Sequence, residues 1–317
     1  MTPRFTVLSP THDHGELLRF AIESVLHQTV DDLEVLIVGD GATEVTRDVA
    51  LALEKQDERV RFFDNPKGPN RGEVHRGTAL ENARGDIVCY LCDDDLWLPD
   101  HLAEMDHLLT GKDFAHTLPF HIQVDGSVHL YPGDLSREHY RRAILEGHNF
   151  IPFSCGAHTL ELYRASEGWQ TSPPEAFTDL TMWQRLLRAP GCRAISGTLP
   201  TLIHFPSSDR THWSLEQRID EMQRWERDMR APGFRERLLE RLLSAEVRNR
   251  SEVQERMEVE REGAEYRFQE RERQLTHDLE SVRGTRTWQW RERLLRAPGI
   301  GRLARAAGRA RARRSDR

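Results

Sequence analysis

The chain has 317 residues, 38% of them hydrophobic and 31% charged, with a net charge of −7. That is enough for one large domain with an appendage or for two small ones, and polar enough that part of the chain should be exposed helix rather than core. The charge is uneven: residues 284–317 carry 11 Arg against Glu292 and Asp316, so a basic tail follows an acidic body, which suits an anionic surface and argues against nucleic acid as a partner.

Phe5-Thr6-Val7-Leu8 reads as a short buried strand ended by Ser9-Pro10. It is too short for a secretory leader, and no later run nears the roughly 18 apolar residues that a membrane span needs. The expectation is a cytoplasmic protein, peripheral at most to the inner face of the membrane. Residues 15–28 follow as an amphipathic helix with Leu17, Leu18, Ala21, Ile22, Val25 and Leu26 on one face. Leu33–Val38 is a second buried strand, broken by Gly39-Asp40-Gly41; Thr43–Lys55 is a helix and Val60–Phe63 a third strand. A glycine-rich loop spans 66–77, a helix runs from about 76 to 84, and Ile87–Leu91 is a fourth strand that ends in Asp93-Asp94-Asp95. This order predicts an α/β fold, a mostly parallel Rossmann-like sheet with helices on both faces. Ligands of such sheets sit beyond the carboxyl ends of the strands, where Pro10-Thr11, Asp40 and Asp93–Asp95 all fall.

Cys89 and Cys92 have C-x-x-C spacing, but positions i and i+3 of a strand face opposite ways, and no second such pair exists. They read as buried free thiols. From about 214 the chain is dense in Glu and Arg with few helix breakers. Met257, Ala264, Phe268, Leu275, Leu279 and Val282 form a thin stripe of roughly heptad spacing, open to two readings: a solvated helix, or a weak coiled coil that would make homo-oligomers. The tail, with Trp288, Trp290, Leu294-Leu295, a Pro298-Gly299 break and Arg311–Arg314, fits either an interfacial membrane segment or a solvated tail. The expected organisation is a domain over 1–213, a helical segment over 214–283 and a basic tail over 284–317.

Three acids after a buried strand repel one another, and a cation would relieve them. Hard divalent ions take carboxylate ligands. The competing reading is a solvated turn or a helix N-cap before Leu96. The order of the pieces favours the first. Pro10-Thr11-His12-Asp13, Ser24-Val25-Leu26-His27-Gln28-Thr29, Gly39-Asp40-Gly41-Ala42-Thr43, Ala83-Arg84-Gly85-Asp86 and Tyr90–Pro99 together resemble the nucleotide-binding half of glycosyltransferase family 2, of the GT-A fold. Phe177–Leu186 resembles that family's E-D-x-x-L-W-x-R-L element, with Thr178 in place of its first acid. Residues 154–169 resemble it more loosely.

The resemblance implies that Pro10 and Thr11 line a base pocket, that Asp40 meets the base and that Arg76 lies near the diphosphate. Asp93 would meet the ribose or the metal. Asp94 would be the main ligand of Mn2+ or Mg2+, with Asp95 beside it. Cys92 departs from the family, standing where many relatives carry the first Asp of L-D-x-D-D. Asp179 would be the catalytic base, a role compatible with capping a helix. His204, in a closing strand over 200–205, is a further metal candidate, although a lone strand-end His is more often structural. The implied activity is inverting transfer of a sugar from a nucleotide-diphosphate donor to a hydroxyl of a saccharide or lipid-linked acceptor, in cell-envelope polysaccharide or glycoconjugate synthesis. The rival reading is a degenerate GT-A domain that serves as a membrane-tethered assembly or binding protein through its helical tail, with Cys92 and Thr178 in its favour. A nucleotidyltransferase would need a basic glycine-rich loop where Pro10-Thr11-His12-Asp13 stands.

Overall fold

The computed structural model describes residues 2–173 and 175–296. In chain order the elements are β1 (Phe5–Thr11), α1 (Glu16–Leu26), β2 (Leu33–Asp40), α2 (Glu44–Gln56), β3 (Val60–Asn65), α3 (Glu73–Leu80), β4 (Ile87–Tyr90), β5 (Leu96–Trp97), α4 (His101–Leu108), β6 (Phe114–Ile122), β7 (Val128–His129), α5 (Glu138–Leu145), β8 (Gly156–Thr159), α6 (Leu160–Ala165), α7 (Thr178–Arg188), β9 (Ala194–His204), α8 (Leu215–Met229), α9 (Phe234–Gly284) and α10 (Arg286–Arg296).

Along one sheet the strand order is β3-β2-β1-β4-β8-β6-β9-β5, with β7 paired to β6. The four strands β3, β2, β1 and β4 are all parallel, as the alternation of strand and helix predicts. Every residue of β2 is buried, as expected for a strand covered on both faces. Beyond β4 the sheet is mixed: β8 runs antiparallel between β4 and β6, while β6 and β9 are parallel. α1, α2 and α3 pack on the parallel strands, and α4 packs on β6 and β9.

Two glycines fix local geometry. Gly72 takes φ 68° and lets α3 begin at Glu73, three residues before the expected start. A Cβ on Gly85 would lie 2.5 Å from the Phe5 carbonyl carbon and the Thr6 nitrogen. Only glycine lets the loop before β4 lie this close to β1.

The chain forms two compact units, Met1–Glu246 and Val247–Arg317. The compositional boundary at 213 therefore falls inside the first unit. The reason is that α8 and the first turns of α9 bury Glu221, Met222, Phe234 and Leu238 despite their high charge, and α8 packs on α1. In the second unit α9 is largely exposed, including Met257, Phe268, Leu275, Leu279 and Val282 of the stripe. Trp288, Trp290 and Leu294 lie on α10, with Trp290 and Leu294 exposed. Pro298-Gly299 and Arg311–Arg314 lie outside the described residues. Among the described residues no helix is long and apolar enough to cross a membrane.

Candidate active site

The carboxyl ends of β1, β2 and β4 converge. β4 ends at Tyr90, and a turn closed by Asp95 N–H donating to the Cys92 carbonyl (3.3 Å) carries the three aspartates. All three are buried, and each finds different partners. Asp93 accepts from Thr11 Oγ1 at the end of β1 (2.5 Å) and pairs with His14 Nδ1 (2.7 Å). Asp94 accepts through Oδ2 from Ser207 Oγ (2.8 Å) and from Arg218 Nη2 (2.6 Å). Asp95 turns inward: it takes Ser154 Oγ (2.5 Å), the Phe205 N–H (3.1 Å) and His204 Nδ1 (2.9 Å).

Donor atoms of His14, Asp93 and Asp94 lie within 4.8 Å of one another, and so do those of Cys92, Asp94 and Asp95. The first set fits a hard divalent ion better, because it offers two carboxylates and an imidazole. In the second, burial pushes the Cys92 thiol pKa well above its usual value, and a protonated thiol is a poor ligand. His204 joins neither set; its Nδ1 is engaged by Asp95. Burial works against protonated His204, yet the charge and hydrogen bond of Asp95 raise its pKa. His14 behaves alike: burial opposes the charged form, but the hydrogen bond and charge of Asp93, aided by Asp94, lift it to about 9.

Asp40 ends β2 and is clamped by the loop after β3. Lys67 Nζ donates to Oδ2, and the Gly68 N–H donates to Oδ1 at 2.6 Å. His12, next to Pro10-Thr11, contacts the Asp40 carbonyl through Nδ1 at 2.9 Å. These residues lie together at the carboxyl ends of β1 and β2.

Arg76 is 6% exposed, and no carboxylate of the described residues salt-bridges it. Its guanidinium lies 4.9 Å from the Trp169 ring centroid and 5.5 Å from that of Phe153, which adjoins Ser154. Nη2 donates to the Arg71 carbonyl (2.9 Å), Nη1 reaches Thr178 Oγ1 (3.4 Å), and Nε has no hydrogen-bond partner among the described residues. Burial lowers its pKa, while the charges of Glu73 and Asp179 act the other way. Arg76 thus lies within electrostatic reach of Asp179 and of Cys92, which precedes the acidic turn. Asp179 lies in the first turn of α7 rather than at its cap, which is Phe177. Its Oδ1 accepts from the Leu180 N–H (2.8 Å) and its Oδ2 from Asn149 Nδ2 (2.9 Å). Burial raises its pKa against those two hydrogen bonds, which moves the carboxylate toward the strength of a useful base.

Sequence reading missed His14, Lys67, Asn149, Ser207 and Arg218. His14 lies only three residues past Thr11, in a segment already assigned to the crevice, and was the most accessible omission. Arg218 lies beyond the compositional boundary.

The family model described as Glycosyl transferase family 2 matches residues 6–166, just over half of the chain. The chain is 33% identical over 117 residues to the GalNAc(5)-diNAcBac-PP-undecaprenol beta-1,3-glucosyltransferase of Campylobacter jejuni, covering 36% of this chain and 37% of that protein. It is 33% identical over 114 residues to the Succinoglycan biosynthesis protein ExoW of Rhizobium meliloti, covering 35% of each. It therefore spans well under two thirds of the length of these curated relatives. Among solved structures, S. aureus TarS 1-349 superposes with a TM-score of 0.52 at 15% identity, covering 76% of this chain and 70% of that one. The same fragment in complex with UDP-GlcNAc gives 0.50 at 17% identity, covering 64% and 58%. These likenesses show the GT-A fold.

Proposed function

The chain belongs to glycosyl transferase family 2, and we propose that it is an inverting, divalent-metal-dependent glycosyltransferase using a nucleotide-diphosphate sugar. The observation that carries this is the convergence of His14, Asp93 and Asp94 at one strand edge, with Asp40 on one side and Arg76 and Asp179 on the other. Pro10, Thr11 and Asp40 receive the base, with Lys67 yielding Asp40 to it. Asp93 meets the ribose or shares the ion. Asp94 and Asp93, with His14 beside them, would hold Mn2+ or Mg2+, which when bound supplies positive charge to the leaving diphosphate. Asp95 and His204 brace the turn from behind. Arg76, buried and without a carboxylate partner, directs its charge toward the diphosphate side. Asp179 takes the proton from the acceptor hydroxyl as that oxygen attacks the anomeric carbon from the face opposite the leaving group.

The acceptor class is a saccharide or a lipid-linked saccharide, in polysaccharide or glycoconjugate synthesis. The names of the Campylobacter and Rhizobium relatives support this choice. A cytoplasmic site at the membrane inner face suits such an acceptor. α10, with exposed Trp290 and Leu294 among Arg286, Arg291 and Arg293, is the segment that would touch anionic lipid. The exposed stripe of α9 would pair two chains. Co-sedimentation with phosphatidylglycerol vesicles and light scattering of the full chain test these two points.

Calorimetry of UDP-, GDP- and dTDP-sugars with Mn2+ tests the central reading. Binding of one nucleotide class, abolished by chelator and by Asp94→Ala, is the expected result. Failure of every nucleotide class to bind would leave the degenerate, tethering role instead. Once a donor and acceptor are in hand, Asp179→Asn should lower kcat by roughly 10²–10⁴ with donor affinity retained; near-full turnover would remove Asp179 from the base role.

A further inference from the structure

The three adjacent carboxylates each have one basic partner: Asp93 has His14, Asp94 has Arg218 and Asp95 has His204. Arg218 brings a permanent charge. Its Nη2 sits 2.6 Å from Asp94 Oδ2, and its Nη1 sits 3.3 Å from His14 Nε2. It thereby touches two of the three residues that would ligate the ion. Asp94 Oδ1 takes no hydrogen bond from the described residues. A divalent ion entering this cluster would lie within a few ångströms of a fixed guanidinium charge that is itself largely buried.

We propose that Arg218 is the resident counter-cation of the acidic site, that the metal enters by exchange with it, and that the displaced guanidinium then pairs with the donor diphosphate. The inference rests on the metal-dependent reading above. Three observations support a side chain able to move without its helix. Arg218 lies in the first turn of α8, whose start is closed independently by the Ser214–Gln217 capping box. The helix is seated by the buried Arg210–Glu221 pair rather than by Arg218. Ser207 also donates to Asp94, so the carboxylate keeps one anchor when the guanidinium leaves. The released group stays at the rim of the site where an ion-bound diphosphate must lie, and its planar fork suits phosphate oxygens.

The exchange gives Arg218 opposite effects on two binding steps, a signature that a purely structural residue would not produce. Mn2+ binding to the full chain without nucleotide, read by the loss of the free-ion EPR signal, should tighten by about tenfold in Arg218→Gln, as expected for removing a close charge. Arg218→Lys keeps the charge and should stay near wild type. UDP binding in saturating Mn2+, read by calorimetry, should weaken in Arg218→Gln by a comparable factor. Arg224→Gln, an exposed arginine farther along α8, should change neither. If wild type binds Mn2+ and Arg218→Gln binds it equally or more weakly, with unchanged circular dichroism, the exchange is overturned while the metal reading stands. If neither protein binds Mn2+ with or without nucleotide, the metal reading fails and the exchange with it.

Discussion

Arg210→Met should be among the most destabilising single changes in the first compact unit. Arg210 and Glu221 form a fork-to-fork pair, with Nε to Oε2 at 2.6 Å and Nη2 to Oε1 at 2.8 Å. Their side chains are 1% and 8% exposed. Two further guanidinium hydrogens go to the Ile122 carbonyl at 3.2 Å and the Pro206 carbonyl at 3.4 Å. The group also lies 5.4 Å from the ring centroids of both Phe205 and Trp213. Removing the arginine leaves a carboxylate buried without a counter-charge, which costs about 3–5 kcal/mol. For a unit of this size, about 2–4 °C of Tm accompanies each kcal/mol, so a fall of roughly 6–20 °C is expected. The double change Arg210→Met with Glu221→Leu should recover most of the loss, because two apolar groups of similar volume need no compensation. Urea unfolding followed by tryptophan fluorescence, arranged as a double-mutant cycle, measures the coupling. A single-mutant cost under about 1 kcal/mol would refute the reasoning, since the pair would then be behaving as a solvated one.

His14 titrates near 9 in the fold and near 6.5 when unfolded. In chelator, its pair with Asp93 should therefore stabilise fully below about pH 6.5, by on the order of 3 kcal/mol, and lose that effect as pH rises through 9. His14→Gln should show the deficit at pH 6 and not at pH 10; a pH-independent deficit would contradict the pairing. Gly85→Ala should cost about 1–3 kcal/mol in denaturant titration, because the new Cβ would meet strand backbone rather than a movable side chain; a loss under about 0.5 kcal/mol would show that the loop can retreat. Asp95→Asn should cost about 1–3 kcal/mol of stability, since its amide cannot accept from the Phe205 N–H, Ser154 and His204 together. Mn2+ affinity should barely change there, whereas Asp94→Asn should reverse the two outcomes.

The first four strands were legible because parallel strands buried on both faces read as continuous apolar runs, and β1, β2 and β4 are of that kind. β6 was not legible. Its run Phe114–Ile122 is interrupted by His116, Thr117 and Pro119, which look like loop residues. Those polar groups find partners on β9: His116 Nε2 meets Ser196 Oγ at 2.6 Å, and Thr117 Oγ1 accepts from Thr201 at 2.8 Å. The same limit hid Arg218. A Glu/Arg-rich helix gives no periodic sign that one of its arginines reaches a carboxylate 124 residues earlier. The acids of the crevice were visible because the strand that delivers them is local in sequence. Of their basic partners only His204 had been singled out, as a metal candidate; His14, Lys67 and Arg218 come from segments that gave no such sign.

This difference bears on how the run Asp93-Asp94-Asp95 divides. Identical neighbours on a turn cannot share an environment, because successive side chains leave the backbone in different directions. Asp95 is fully buried, with three donors converging on it. A carboxylate so satisfied gains little from an ion and would lose bonds to bind one. Asp93 uses both oxygens, on Thr11 and His14. Asp94 keeps one oxygen unbonded among the described residues, and its shortest hydrogen bond comes from the long side chain of Arg218. On the metal-dependent reading proposed above, the weight of metal binding would fall on Asp94. The helix carrying Arg218, which composition alone assigns to an appendage, places a guanidinium on the acidic turn.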